Sequence, residues 1–256
     1  MCCFSGPVTE VSATRIFARL ITAKRQALAY QMSLDTPDDV AMILPIPVTP
    51  GSGEKAVKFI DLSEYPNFFR DLASGFITRK SYGASDTGSL PPDSKTLEVY
   101  SVGSFDASFV PTIRDFSRLD KRFRLPEGTW SRLPQYANYG FAVFKLKKGN
   151  EERHPMAFSF PSSLASRNRL FFPTVHIHDG KVHAKERFDH HLYGQSNPKW
   201  GLSSRLGWSE SPALAASFTD PEKSQGLIEK NSHVYRLKLS GIQPNKDIVG
   251  QTFPVG

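Results

Sequence analysis

The sequence predicts an α+β fold, mainly antiparallel β-sheet with a few short helices. Three observations carry this. Strand-length runs rich in β-branched and aromatic residues alternate with polar turn pieces. Helical spacing is confined to a few short stretches. Nineteen Pro and eighteen Gly supply many turns. The 256 residues can form one domain, 1–256, with a sizeable core, and nineteen Phe with eight Tyr should make that core aromatic.

The first 48 residues read as a β-meander. "ATRIFARLI" (13–21), "QALAYQMSL" (26–34) and "VAMILPIPV" (40–48) are strand-like, with "TAKR" and "DTPDD" as turns between them. In the first, Arg15, Phe17, Arg19 and Ile21 share one face, while Ile16, Ala18 and Leu20 share the other. Pro45 and Pro47 mark the third run as an edge or an exit. "AVKFIDL" (56–62) is a short strand. "SEYPNFFRDLASGF" (63–76) suits a helix between Ser63 and Gly75. Residues 79–95 have almost no apolar content and read as a mobile loop. "TLEVYSV" (96–102) is a strand. Residues 111–123 read as a helix capped by Thr112, with Ile113, Phe116, Leu119 and Phe123 inward. Residues 140–161 read as an antiparallel pair around "KKGNEER". "PALAASF" (212–218) and 221–230 suit short helices, and 233–241 a final strand.

The formal charge of +7 permits an anionic partner. The Lys and Arg residues are scattered, however, and no zinc-finger or RNA-binding motif occurs, so nucleic acid is not the expected partner. No run of about 18 apolar residues predicts a membrane span. The two cysteines, Cys2 and Cys3, are adjacent and give no disulfide framework. With no apolar signal region at the start, the expectation is a cytoplasmic protein. The oligomeric state is not encoded in any of these features.

Five of the seven histidines lie in "FFPTVHIHDGKVHAKERFDHH" (171–191). Asp-Gly between β-branched runs predicts a hairpin turning at Asp179–Gly180. Alternation then places Val175, Ile177, Val182 and Ala184 toward the core, and His176, His178 and His183 on the other face. His176 and His183 would be directly opposite, with Cβ atoms about 5 Å apart. Three imidazoles so placed suit a transition metal, zinc or copper, with an open position for water. His154, His190 and Cys3 are further candidate ligands, and Asp189 a carboxylate to orient a ring. Lys181 and Lys185 on the same face oppose a cation. The leading expectation is therefore a metal-binding protein, as a metal-dependent hydrolase or oxidoreductase.

The second expectation starts at Cys2. Removal of Met1 would leave an α-amine of ordinary pKa about 7.7–8.0 beside the thiol, the base that an N-terminal nucleophile needs. "MCCFSG" with "ATRIFAR" resembles the opening of N-terminal-nucleophile hydrolases of the bile-salt-hydrolase branch. The resemblance implies an amidohydrolase acting on a small-molecule amide, with Cys2 as nucleophile and Arg15 or Arg19 supporting its thiolate. Over most of its length the chain resembles an uncharacterised bacterial protein family, through "MCCFSGPV", "AMILPIPV", "SFDASFVP" and "FFPTVHIHDG"; that resemblance implies no mechanism. A third expectation is a non-enzymatic protein whose histidine face binds an anionic partner.

Overall fold

The computed structural model describes residues 3–76, 100–103, 105–152, 154–177, 181–196, 200–202 and 207–254. The loop expected at 79–95 lies outside them, as do Cys2, His178 and the Asp179–Gly180 turn. The strands run β1 (Cys3–Phe4), β2 (Glu10–Thr22), β3 (Arg25–Thr36), β4 (Val40–Ile46) and β5 (Lys58–Asp61). After helix α1 (Phe68–Ser74) come β6 (Tyr100–Val102), β7 (Phe105–Val110), β8 (Gly140–Leu146), β9 (Gly149–Glu152), β10 (Met156–Pro161) and β11 (Arg169–Phe172). The last are β12 (Lys185–Gln195), β13 (Trp200–Leu202), β14 (Ser209–Glu210), β15 (Tyr235–Pro244) and β16 (Ile248–Pro254).

These strands form three sheets. The first runs β1-β4-β8-β7-β6. The second runs β14-β15-β12-β2-β3-β10-β5, with β9 also on β3, and the third β11-β16-β13. The chain is sheet-rich with few helices, as expected, but the second sheet is mixed, because β12 lies parallel to β2.

The alternation in β2 explains the layering. Ile16 and Ala18 face the main core, which also takes Cys3, Ile43, Phe105 and Phe144 from the first sheet. Phe17 points the other way, into a second core with Ala29, Ala157, Tyr193 and the α1 residues Phe68, Phe69 and Leu72. Phe17 meets Phe68 edge-on, with ring centroids 5.4 Å apart, a geometry worth about 1 kcal/mol beyond area burial. The middle of the second sheet is thus buried on both faces.

Several expected elements differ. β4 is apolar along its whole length and packs between β1 and β8. Pro45 fits there because β1 reaches only Met42 and Ile43, leaving β4 an edge at the proline, where no donor is required. The helix expected at 63–76 is only Phe68–Ser74, because Pro66 confines it to the residues after it. Residues 111–123 form 3-10 turns, Ile113–Arg118 and Lys121–Phe123, separated by extended backbone at Leu119. Ile113, Phe116 and Leu119 are three apart, the period of a 3-10 turn. The Thr112 hydroxyl donates to Asp115 Oδ2 (2.7 Å) rather than capping a helix. The pair expected at 140–161 divides between sheets: β8 joins β4 and β7, while β10 joins β3 and β5. Residues 212–230 contain only the 3-10 turn Ala215–Ser217 among their helical elements, and β16 was not expected at all.

Candidate functional site: the two faces of strand β12

Among the described residues, 173–177 and 181–184 do not form the expected two-stranded ladder. Residues 173–177 run instead beside β1: Cys3 and Ile177 make a parallel bridge, and the Phe4 amide donates to the Ile177 carbonyl (3.3 Å). Two side chains from the β15–β16 connection hold this segment. Asn245 Oδ1 accepts from the His176 amide (2.7 Å), and its Nδ2 donates to the carbonyls of His176 and His183 (2.9 Å each). Asp247 Oδ1 accepts from the amides of Thr174 (2.8 Å) and Val175 (3.2 Å). The Tyr136 hydroxyl donates to Asp247 Oδ2 (2.6 Å). Burial raises the Asp247 carboxyl above its ordinary range, against the pull of these hydrogen bonds. Burial also raises the Tyr136 phenol, and the neighbouring Asp247 charge adds to the effect.

Of the expected metal ligands, His176 and His190 come together, while His183, His154 and Cys3 lie elsewhere. His176 is buried, its ring 4.6 Å from Phe188 and 4.9 Å from His190. His183 is exposed. His154 packs on Phe105 at 4.5 Å, beside Gly103 at the β6–β7 turn. Cys3 is fully buried in the main core. No group of three or more His, Cys, Asp or Glu among the described residues could hold a metal ion. Val175 and Ile177 are buried as expected, whereas Ala184 is exposed.

The two arginines assigned to thiolate support lie on the far side of the second sheet from Cys3. Arg19 donates to the carbonyls of Gly226 (3.0 Å) and Leu227 (3.1 Å) and pairs with Glu229 (3.3 Å). It therefore fastens the segment that roofs the second core. Arg15 Nη1 lies 3.3 Å from Gln31 Oε1. In register with Arg15 are His191 on β12 and, beyond it, Lys238 on β15. Desolvation first, then Lys238, Arg236 and Arg15, hold the His191 imidazole below its ordinary pKa. Asp189 shares this outer face. It accepts from the Ala13 amide (2.6 Å), pinning a bulge in β2 where Ala13 has a positive φ of 52°. His190, then the amides of Ala13 and Thr14, hold its carboxyl below the ordinary range.

Sequence reasoning missed Asp247, Asn245, Arg236 and Lys238. For the last two a signal existed: "YRLKLSG" (235–241) alternates, so Arg236, Lys238 and Ser240 share one face. Which strand would receive that face was not legible.

No protein-family model matches the chain. Among solved structures, the crystal structure of baculovirus P35 superposes with a TM-score of 0.50 and 18% identity, covering 98% of this chain and 100% of that one. The fold is similar to that of baculovirus P35. The complex of caspase-8 with P35 matches with a TM-score of 0.47 at 16% identity, over 94% of this chain and 96% of that one. A mutated P35 after caspase cleavage matches with a TM-score of 0.47 at 15% identity, over 94% and 99%. The metal-binding and hydrolase readings are corrected accordingly. The whole-length likeness is to P35, and of the histidines expected to converge His176 is buried while His183 is exposed. No helix among the described residues is long and apolar enough to cross a membrane.

Proposed function

We propose that this chain binds a cysteine protease of the caspase class and inhibits it, acting as a protein ligand of the protease. The observation carrying this reading is the likeness to P35 over 98% of this chain and the whole of P35. P35 itself is known in complex with caspase-8 and, as a mutant, after caspase cleavage. The partner on this reading is a protein, not a small-molecule substrate. The buried clamp around residues 174–177 and the fully buried Cys3 supply a rigid frame, which suits a protein that presents a preformed surface.

The test is titration of caspase-8 and a panel of other caspases with the purified chain, following hydrolysis of a fluorogenic peptide. The expected result is loss of activity near one equivalent for at least one caspase, with a complex that survives gel filtration. Full activity of every caspase at large molar excess of the chain would overturn the proposal. So would turnover, in which the chain is cut repeatedly while the protease stays active; intact mass locates any cut.

A further inference from the structure

The 3-10 turns between β7 and β8 carry a serine whose setting the protease reading leaves unused. The sequence "IRDFSR" (113–118) puts Arg114 three residues before Ser117 and Arg118 directly after it. An arginine three residues ahead of a serine or threonine occurs at one other place, Arg19 and Thr22. The two places differ in what the fold does with the arginine. Arg19 is committed to the Gly226 and Leu227 carbonyls and to Glu229, with its side chain only 13% exposed. Arg114 is exposed and makes no ion pair among the described residues.

Ser117 is exposed on the turn Ile113–Arg118, and its hydroxyl donates to the Arg114 carbonyl (3.0 Å). The turn closes through the Asp115 amide on the Thr112 carbonyl and the Leu119 amide on the Phe116 carbonyl, each at 3.1 Å. A 3-10 turn this short has few bonds and poor hydrogen-bond geometry, so it opens locally at small cost. The buried Phe116 ring, against Trp130 and Phe141, keeps the neighbouring backbone on the protein meanwhile. Residues 113–124 hold five Lys or Arg against two Asp, so added negative charge is favoured here. Asp115 is already paired with Arg118, which also meets Glu54, and Asp120 with Arg122. Arg124 donates to the carbonyls of Ser117 (2.7 Å) and Leu119 (2.9 Å).

We propose that Ser117 is a phosphorylation site for a basophilic serine/threonine kinase, and that Arg114 first recruits the kinase and then holds the phosphate. Such a kinase reads the arginine three residues before its target with carboxylates, which requires a guanidinium that can leave its own surface. Arg114 meets that requirement and Arg19 does not. In the transfer the Ser117 oxygen bonds to the γ-phosphorus of ATP and the bond from that phosphorus to the departing ADP oxygen breaks. The hydroxyl proton passes to the aspartate of the kinase's catalytic loop. The product carries a charge of about −1.5 to −2 and three acceptor oxygens, to which Arg114 donates. This goes beyond the protease reading and does not depend on it.

The experiment incubates the full chain with MgATP and the catalytic subunit of cyclic-AMP-dependent protein kinase. Intact mass counts the phosphoryl groups and peptide fragmentation places them. The expected result is a phosphoryl group on Ser117, none there in Ser117→Ala, and transfer at least about 10-fold slower in Arg114→Gln. Thr22→Ala should leave the rate unchanged, and circular dichroism controls the folding of each variant. At low salt the phosphorylated chain should melt at a higher temperature than the unmodified chain. That gain should shrink at high salt and in Arg114→Gln. Absence of transfer to the folded chain, whether or not a synthetic peptide of residues 110–121 is a substrate, would overturn the proposal. So would a rate indifferent to Arg114, transfer to Thr22 in place of Ser117, or a phosphorylated chain that melts lower.

Discussion

His190 and His191 are neighbours in the chain and opposites in environment. His190 is buried against His176 and Phe188 on the inner face of β12. His191 lies on the outer face, among Arg15, Arg236 and Lys238. On the inner side the amides of Thr174, Val175 and His176 have fixed side-chain acceptors, and the cost of removing one is structural. On the outer side Arg15 reaches Gln31 and Arg236 lies over Phe76, so the cations beside His191 are spread along the face. The difference teaches that a histidine-rich stretch is not one site: the period of two in a strand distributes it between a core and a surface.

The contrast breaks most visibly at Asp247. Asp247→Ala leaves the Thr174 and Val175 amides and the Tyr136 hydroxyl buried without their acceptor. At about 1–3 kcal/mol per stranded group, the loss should reach about 3 kcal/mol or more, read from the urea midpoint. Asp247→Asn keeps an acceptor for the amides and should lose much less. A Tyr136→Phe change with as large an effect as Asp247→Ala would show that the hydroxyl, not the backbone clamp, dominates.

Next comes the histidine pair itself. His190→Ala removes a buried ring from two aromatic contacts and should cost about 2 kcal/mol. His191→Ala on the opposite face should stay within about 0.5 kcal/mol at neutral pH. Equal effects in thermal melts would erase the distinction between the faces.

The smallest effect is a pH dependence. The His191 pKa is lowered in the folded chain, so the unfolded chain binds its proton more readily. Stability contributed through this residue is present above its ordinary pKa near 6.5 and declines as pH falls through that value. His191→Gln should therefore shrink the drop in melting temperature between pH 7.5 and pH 5.5, by less than about 2 °C for a half-exposed group. A larger acid-induced drop in the variant would reverse the sign and remove the idea of a positive field at this position.

Much of the sheet framework was legible. The runs at 13–21, 26–34 and 233–241 are strands because their alternation is local information, and the opposing faces of Arg15 and Ile16 follow from it. Pairing partners were not legible. Nothing in "KERFDHHLYGQ" says that it will lie parallel to a strand some 176 residues earlier. The Asp-Gly signal favours a local hairpin, but Asn245, Asp247 and the Ile177–β1 bridge bind the preceding residues from elsewhere. Tertiary partners fix residues 174–177, and His176 goes to the interior with them. The 3-10 turns at 113–123 were misread as a helix because inward residues three apart fit either period over one or two turns.

The parallel seating of β12 beside β2 sets a timetable for the chain. Residue 15 leaves the ribosome long before residue 191 exists, so the β2–β3 hairpin must wait with one edge unoccupied. Synthesis at about 5–20 residues per second makes that wait last on the order of ten seconds or more. An exposed strand edge during that interval invites pairing with other nascent chains. The arginines along β2, placed every fourth residue at 15 and 19, would keep such chains apart until β12 arrives to close the sheet.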